Sequence, residues 1–391
     1  MTVKHVKLGD VAEFIRGITF TPQDVLDEFA NDSVAVMRTK NVQETIDLED
    51  VWKINKSFVK NENQYLYEGD LLVSSANSWN LVGKASWIPK LEYKSTFGGF
   101  VTVLRGDVNK INKRYLYYWF VSKKIQAMLR SFGNKTTNIS NLNLKRSLEL
   151  SIPLPPLAEQ QRIADQLDKA DRIMRLREQA IAKLDELAQN VFAEMFGDLF
   201  VGRDDWQRTQ LGKLRAEKRG SIDPSKYPNE VFTLYSIPGY DRCQQDILAG
   251  KDIGSTKQVV QTNDVLISKI VPHIRRAWIV GDEFTNRQIA SGEWIVFASE
   301  QFKPAVLRYL FLSDAFHKRF MTTIAGVGGS LLRAQPRLVN EFKISVPPLS
   351  LQENFARFII KQANHRTLLE KSQATFSTLF SSLQSQSFLV N

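Results

Sequence analysis

Cysteine is nearly absent from this chain of 391 residues: Cys243 stands alone, and a single thiol forms no internal disulfide. Histidine is also scarce, at 4 residues, so no Cys/His zinc framework is expected and a reducing cytoplasm is the simplest setting. No apolar run reaches about 18 residues, which excludes a membrane-spanning helix, and Met1-Thr2-Val3-Lys4-His5-Val6-Lys7 lacks the apolar stretch of a signal peptide. A phosphate-binding loop is missing as well. Gly83-Lys84, Gly212-Lys213 and Gly250-Lys251 are followed by Ala85, Leu214 and Asp252 instead of Ser or Thr, so no ATP motor is encoded. The Asn-Pro-Pro-aromatic tetrad of adenine methylation does not occur. Glu92-Tyr93-Lys94 and Glu217-Lys218 could be stretched into nuclease pairs, but such pairs arise by chance in a chain with 24% charged residues.

What is present is positive charge, unevenly placed. The chain carries 52 Lys and Arg against 42 Asp and Glu, a net +10. Residues 1–150 hold +5 and residues 201–345 hold +6, while residues 151–200 hold −3 and residues 346–391 hold +2. Two basic bodies separated by an acidic segment suit two contacts with a polyanion, although a basic balance alone is common among soluble proteins.

The sequence also repeats itself. Ile152-Pro153-Leu154-Pro155-Pro156-Leu157 returns as Ile344-Ser345-Val346-Pro347-Pro348-Leu349, 192 residues on, with Gln160 and Ala164 matching Gln352 and Ala356. Upstream, Leu8-Gly9 and Arg16-Gly17 match Leu211-Gly212 and Arg219-Gly220. Asp70-Leu71-Leu72-Val73-Ser74 matches Asp264-Val265-Leu266-Ile267-Ser268, and Tyr115-Leu116 matches Tyr309-Leu310. Each half is therefore a domain followed by a helix.

Within the domains, Asp70 to Ser74, Val101 to Leu104 and Ile295 to Phe297 read as short strands. Arg114 to Arg130 and Val306 to Phe320 have helical spacing, so each domain is α+β. The Pro-Pro pair ends the last strand and presets the helix that follows. That helix, from about Ala158 to Phe196, carries a seam at Ile163, Leu167, Ala170, Met174, Arg177, Ile181, Leu184, Ala188, Val191 and Met195. A second helix from about Leu351 offers Phe355, Ile359, Leu369, Phe376, Phe380 and Leu383, interrupted by Gln362, Arg366 and Gln373. The two are expected to pair as an antiparallel coiled coil. Beside the first seam, Ile173, Leu176, Ala180 and Leu187 form another apolar stripe, to be covered by a further protein or by the flanking domains.

The junction Leu154-Pro155-Pro156-Leu157-Ala158-Glu159-Gln160-Gln161-Arg162-Ile163, the domain-then-helix repeat, and the runs Asp264 to Lys269 and Arg275-Arg276-Ala277-Trp278 resemble the specificity subunits of type I restriction-modification systems. The resemblance spans essentially the whole chain. Ser350-Leu351-Gln352-Glu353 departs from the first junction, which bears on partner contacts at the distal helix.

The resemblance implies two target-recognition domains, residues 1–155 and 201–348, with spacer helices over residues 156–200 and 349–391. Each domain would read one half of a split, asymmetric double-stranded DNA target. Separate adenine methyltransferase and motor-nuclease subunits would do the chemistry, so S-adenosylmethionine, ATP and magnesium belong to them and no cofactor, metal or catalytic residue to this chain. A coiled-coil scaffold, or a self-contained nuclease or methyltransferase, is the alternative.

Base readers must be polar, long and set on loops or helix ends. In the first domain these are Arg38, Lys40, Asn41, Asn77 and Lys84 of the loop Ser74 to Lys84, and Lys135, Thr136 and Thr137. In the second they are Lys269, His273, Arg275, Arg276, Ser330, Arg333 and Arg337, with Arg275 and Arg276 expected on phosphates. For the spacer helices and their contacts with partners the candidates are Pro155, Pro156, Leu157, Gln160, Ile163, Leu167, Met174, Ile181, Leu184, Pro347, Pro348 and Leu349.

Overall fold

The computed structural model describes residues 3–28, 30–132, 134–135, 139–216, 219–283, 285–326 and 332–388. The chain divides into two compact units, residues 1–177 with 372–391, and residues 178–371.

In the first unit an antiparallel sheet runs in the order Ala12–Arg16, Val101–Gly106, Leu71–Ser74, Ala85–Trp87. A second sheet runs Val25–Leu26, Trp52–Asn55, Ser33–Met37, Ser95–Phe97, its last pair parallel. Leu71, Val73 and Leu104 bury their side chains against the helix Lys113–Phe120, whose Tyr115, Leu116, Trp119 and Phe120 are buried. The strands' β-branched runs fit the pleat because both of their faces are covered.

In the second unit the strands Ala277–Ile279, Val265–Ser268 and Trp294–Phe297 form the corresponding sheet. The other sheet has the order Ser221–Ile222, Lys257–Val259, Arg287–Ala290, Val231–Tyr235, Asp246–Ala249, again with one parallel pair. A strand near the start of each unit pairs with the strand before the Pro-Pro junction: His5–Lys7 with Ser151–Pro153, and Arg208–Gln210 with Lys343–Ser345.

The two stretches with helical spacing are each two short helices. Lys113–Phe120 is followed by Lys123–Ser131, and Pro304–Leu312 by Asp314–Phe320. A serine marks both breaks. The Ser313 hydroxyl accepts from the Phe316 N–H at 3.2 Å, while the Ser122 hydroxyl donates to the Trp119 carbonyl at 2.7 Å. Serine favours such ends because it satisfies backbone groups a helix leaves open.

The central helix, Leu157–Phe196, and the distal helix, Leu349–Phe388, are 40 residues each, about 60 Å long, and their bounds stand at the 192-residue repeat spacing. All ten seam positions of the central helix are buried or half-buried. Gly197 closes it with φ +61, a left-handed conformation that costs glycine little.

The pairing is antiparallel within each unit. In the first, Arg177 lies 3.8 Å from the Phe376 ring centroid and donates to the Ser372 carbonyl at 3.5 Å, so the one charged seam residue is absorbed by an aromatic face. In the second, Phe192 and Phe196 meet Phe355, Arg366 binds both oxygens of Asp185 at 2.6 and 2.8 Å, and Gln362 donates to the Leu184 carbonyl. Ile163 and Leu167 are buried in the core of the first unit, and Met174, Ile181 and Leu184 are half-buried. Their burial within the chain suits their place on the seam of the spacer helix.

Candidate nucleic-acid interface

Each junction is locked by its glutamine. Gln160 is buried; its side-chain oxygen accepts the Asn112 N–H at 2.8 Å and its amide donates to the Pro155 carbonyl at 2.8 Å. Gln352 accepts the Lys303 N–H at 2.8 Å and donates to Pro347 at 2.8 Å and Gln301 at 2.9 Å. Buried amide groups demand such partners, so Gln160 fastens the helix to its own domain and is withdrawn from the partner surface. Pro155 and Pro347 are buried, whereas Pro156 and Pro348 are exposed, as are Leu157 at 44% and Leu349 at 52%.

The polar loops that the sequence singles out are brought together within each unit. In the first, Ala76–Asn77 pairs with Ser140–Asn141, which also pairs with Asn134–Lys135, and the Leu142 N–H donates to the Ser75 carbonyl at 2.8 Å. In the second, Ile270 bridges Arg333, the Val271 N–H donates to Leu332 at 3.1 Å, and the Ala334 N–H donates to Lys269 at 2.8 Å. The loop after the central strand is thus tied to the stretch before the short helix, Leu144–Leu148 or Pro336–Asn340. Thr136, Thr137 and Ser330, and the side chain of Lys135, lie outside the described residues.

Several candidates are committed internally. Asn41 is fully buried: its side-chain oxygen accepts the Arg38 N–H at 2.8 Å and its amide donates to the Asp47 and Asp50 carbonyls at 2.9 and 3.0 Å. A buried amide with its groups matched cannot reach a base edge, which corrects that expectation. Arg38 lies 3.6 Å from the Trp52 ring centroid and pairs with Asp50, as does Lys40, which chiefly holds the Asp50 carboxyl below its ordinary range. Arg276 is also buried, and grips Asp241 through two bonds of 2.7 and 2.9 Å, so it is no free phosphate contact. Arg275 donates to the Leu312 carbonyl at 3.0 Å and pairs with Asp314 at 2.6 Å; Arg333 meets Glu293 at 3.2 Å.

Sequence reading missed a shared device here. Lys84 immediately precedes the edge strand Ala85–Trp87 and donates to the Gln43 side-chain oxygen at 2.7 Å; Arg276 immediately precedes Ala277–Ile279 and holds Asp241. Ala85 faces Val73 and Ala277 faces Ile267, the same register. A cation at this position clamps the edge strand to the segment that follows an inner strand of the other sheet, Ser33–Met37 or Val231–Tyr235. The recurrent Lys84-Ala85 and Arg276-Ala277 pattern was the available signal.

Polar groups left outward are His273 and Arg337, both exposed; Lys269 is half-buried, and neither Lys269 nor Arg337 forms an ion pair among the described residues. Asn77 is half-buried, its amide 3.1 Å from the Ser74 hydroxyl. On the long helices Ile173, Leu176 and Leu187 of the second stripe are exposed and Ala180 is half-buried, and Ile360, Leu368 and Leu379 are exposed on the distal helix. Among the described residues no group of His, Cys, Asp and Glu is placed to hold a metal, and no helix is long and apolar enough to cross a membrane.

Residues 1–186 match the family model for the type I restriction modification DNA specificity domain. The chain is 24% identical to the type I restriction enzyme StySPI specificity subunit of Salmonella potsdam, over 96% of this chain and 85% of that protein. The MjaVIII specificity subunit of Methanocaldococcus jannaschii is also 24% identical, over 90% and 84%. Among solved structures, the S subunit from M. genitalium aligns with TM-score 0.52 and 14% identity over 99% of this chain and 96% of that one. A chain from a study of complex assembly in the type I R-M system aligns with TM-score 0.56 and 16% identity over 99% and 97%. At those identities the structural likeness is one of fold.

Proposed function

We propose, from the premise that residues 1–186 belong to the type I restriction modification DNA specificity domain family, that this chain recognises DNA sequence within a type I restriction-modification system. Its two domains, residues 1–155 and 201–348, each read one half of a bipartite, asymmetric target. The observation that carries this reading is the joined pair of polar loops in both domains, on the same scaffold but with unlike side chains. Equal scaffolds put the readers at equivalent places; unlike side chains make the half-sites differ.

The long helices set the gap between the half-sites. Their exposed leucines and isoleucines, with Leu157 and Leu349, form the seat for adenine methyltransferase subunits, because an uncovered apolar stripe on paired helices favours a protein cover. Methylation and ATP-driven cleavage reside in the partner subunits, with their S-adenosylmethionine, ATP and magnesium; this chain is non-catalytic.

The test is to combine the full chain with the methyltransferase of its system and map modified adenines on random duplexes. A split asymmetric motif is expected; a palindromic or undivided one counts against the reading. Binding indifferent to salt would favour the scaffold alternative, and modification or cleavage by the chain alone would favour an enzyme. A four-residue insertion near Ala180 lengthens the rod by about 6 Å and turns it by roughly 40 degrees. The preferred gap should shift or binding fail with the half-sites unaltered, whereas an unchanged gap optimum would refute the rigid ruler.

A further inference from the structure

We infer that the tip Val271-Pro272-His273-Ile274 is the base-reading element of the second domain, with Ile274 seated against the C5 methyl group of a thymine. The inference rests on the DNA-recognition reading above.

Three of the neighbouring cations are committed within the domain, while Lys269 and Arg337 form no ion pair among the described residues and remain for phosphates. Arg276 is held by Asp241, Arg275 by Asp314 and the Leu312 carbonyl, and Arg333 by Glu293. What faces outward is His273 and, at 44% exposure, Ile274. An exposed isoleucine on a basic loop is free to meet an apolar group within a charged ligand. In the major groove the thymine methyl is the apolar group on the base edges, and the imidazole beside it can hydrogen-bond a neighbouring edge. The corresponding loop of the first domain, between Leu71–Ser74 and Ala85–Trp87, also exposes a large apolar side chain, Trp79 at 51%.

The backbone holds this tip in one shape. Val271 has φ +49, a left-handed conformation uncommon for a β-branched residue, which persists only where surrounding contacts over-determine it. They do so here: the Val271 N–H donates to Leu332, the Ile274 N–H returns to the Val271 carbonyl at 3.0 Å, and Lys269 is bonded on both sides by Glu293 and Ala334. Strain of this kind collects where a loop must present side chains without first ordering them.

The test uses the full chain on duplexes carrying its selected target, with each thymine replaced in turn by deoxyuridine, which lacks the methyl group. One replacement in one half-site should weaken wild-type binding about fourfold, the factor for one buried methyl-sized group. Ile274→Ala should bind the thymine duplex about fourfold more weakly and be indifferent to that replacement. Val271→Gly should unfold at a higher temperature yet discriminate less against single mismatches in the same half-site. Indifference of the wild type to every deoxyuridine, an Ile274→Ala variant that keeps the sensitivity, or unchanged discrimination in Val271→Gly would overturn the inference while leaving DNA recognition intact. Selection of no bipartite sequence by the wild type would overturn both.

Discussion

The two halves bury an aspartate at the same point and neutralise it with arginines from different places in the chain. Asp70 accepts the Tyr67 N–H at 2.8 Å and two bonds from Arg105, at 2.8 and 2.7 Å. Asp264 accepts the Gln261 N–H at 2.8 Å and is paired with Arg219. In the second half Ala298 stands where the register places Arg105, and in the first Arg16 stands where the repeat places Arg219. In both halves an arginine covers this carboxylate, from the strand Val101–Gly106 in the first and from the segment before the strand Ser221–Ile222 in the second. Burial nonetheless pushes the Asp264 carboxyl up, against the opposing pull of the Gln261 N–H and Arg219.

The largest effect should come from removing that carboxylate. Asp264→Ala leaves Arg219 without its partner and should cost about 3–5 kcal/mol, as should Asp70→Ala for Arg105, read by denaturant unfolding. Arg219→Ala combined with Ala298→Arg should recover at least half of what Arg219→Ala loses; no recovery would show that the two supply routes are not interchangeable.

Next come the junction glutamines. Gln160→Leu and Gln352→Leu each leave a buried N–H and carbonyls unmatched and should cost about 1–3 kcal/mol. Their bonding is so alike that a marked inequality between the two losses would break the equivalence of the halves.

A smaller effect separates the clamps from the free cations. Arg337→Ala should lower the slope of log affinity against log salt by about 0.9, the share of one phosphate contact. Arg276→Ala should lower the unfolding midpoint and leave that slope as it was, because its charge is held by Asp241.

The smallest effect concerns His317, which occupies the place of Gln126 in the first half, each four residues past the serine that marks the helix break. Burial first, then the nearby charges of Arg275 and His273, hold its imidazole below the ordinary value of 6.5, with Asp314 opposing. A histidine lowered in the fold stabilises it above its unfolded value and loses that contribution as pH falls beneath 6.5. His317→Gln should therefore flatten the decline in stability as pH falls below 6.5; an unchanged profile would rule it out as the source.

The long helices were legible from their sequence because a seam of ten positions has one solution at helical period. The half-to-half correspondence was legible because the junction recurs with its glutamine. Parallel pairing of Ser33–Met37 with Ser95–Phe97 was not, since nothing in either strand names a partner some sixty residues away. Arg276 looked like a surface cation because Asp241, 35 residues distant, carries no local mark of the bond. Asn41 was a different miss: its partners lie within ten residues, and asparagine so placed caps a turn as readily as it reads a base.

The return of the distal helix to the first unit also sets an order in time. Phe380, Leu383 and Phe388 pack against that unit's core, Phe388 standing edge-on to Tyr115 at 5.1 Å, and Gln384 donates to the Tyr118 carbonyl at 2.9 Å. At about 5–20 residues per second, a ribosome that has finished residue 177 needs on the order of 10–40 seconds to reach residue 372. Through that interval the first unit lacks the part of its core that residues 372–388 supply over Tyr115 and Tyr118, while residues 178–371 emerge as a compact unit of their own. The first unit is thus closed only after the second has been made, and the nascent chain carries an open apolar edge until residues 372–388 leave the exit tunnel.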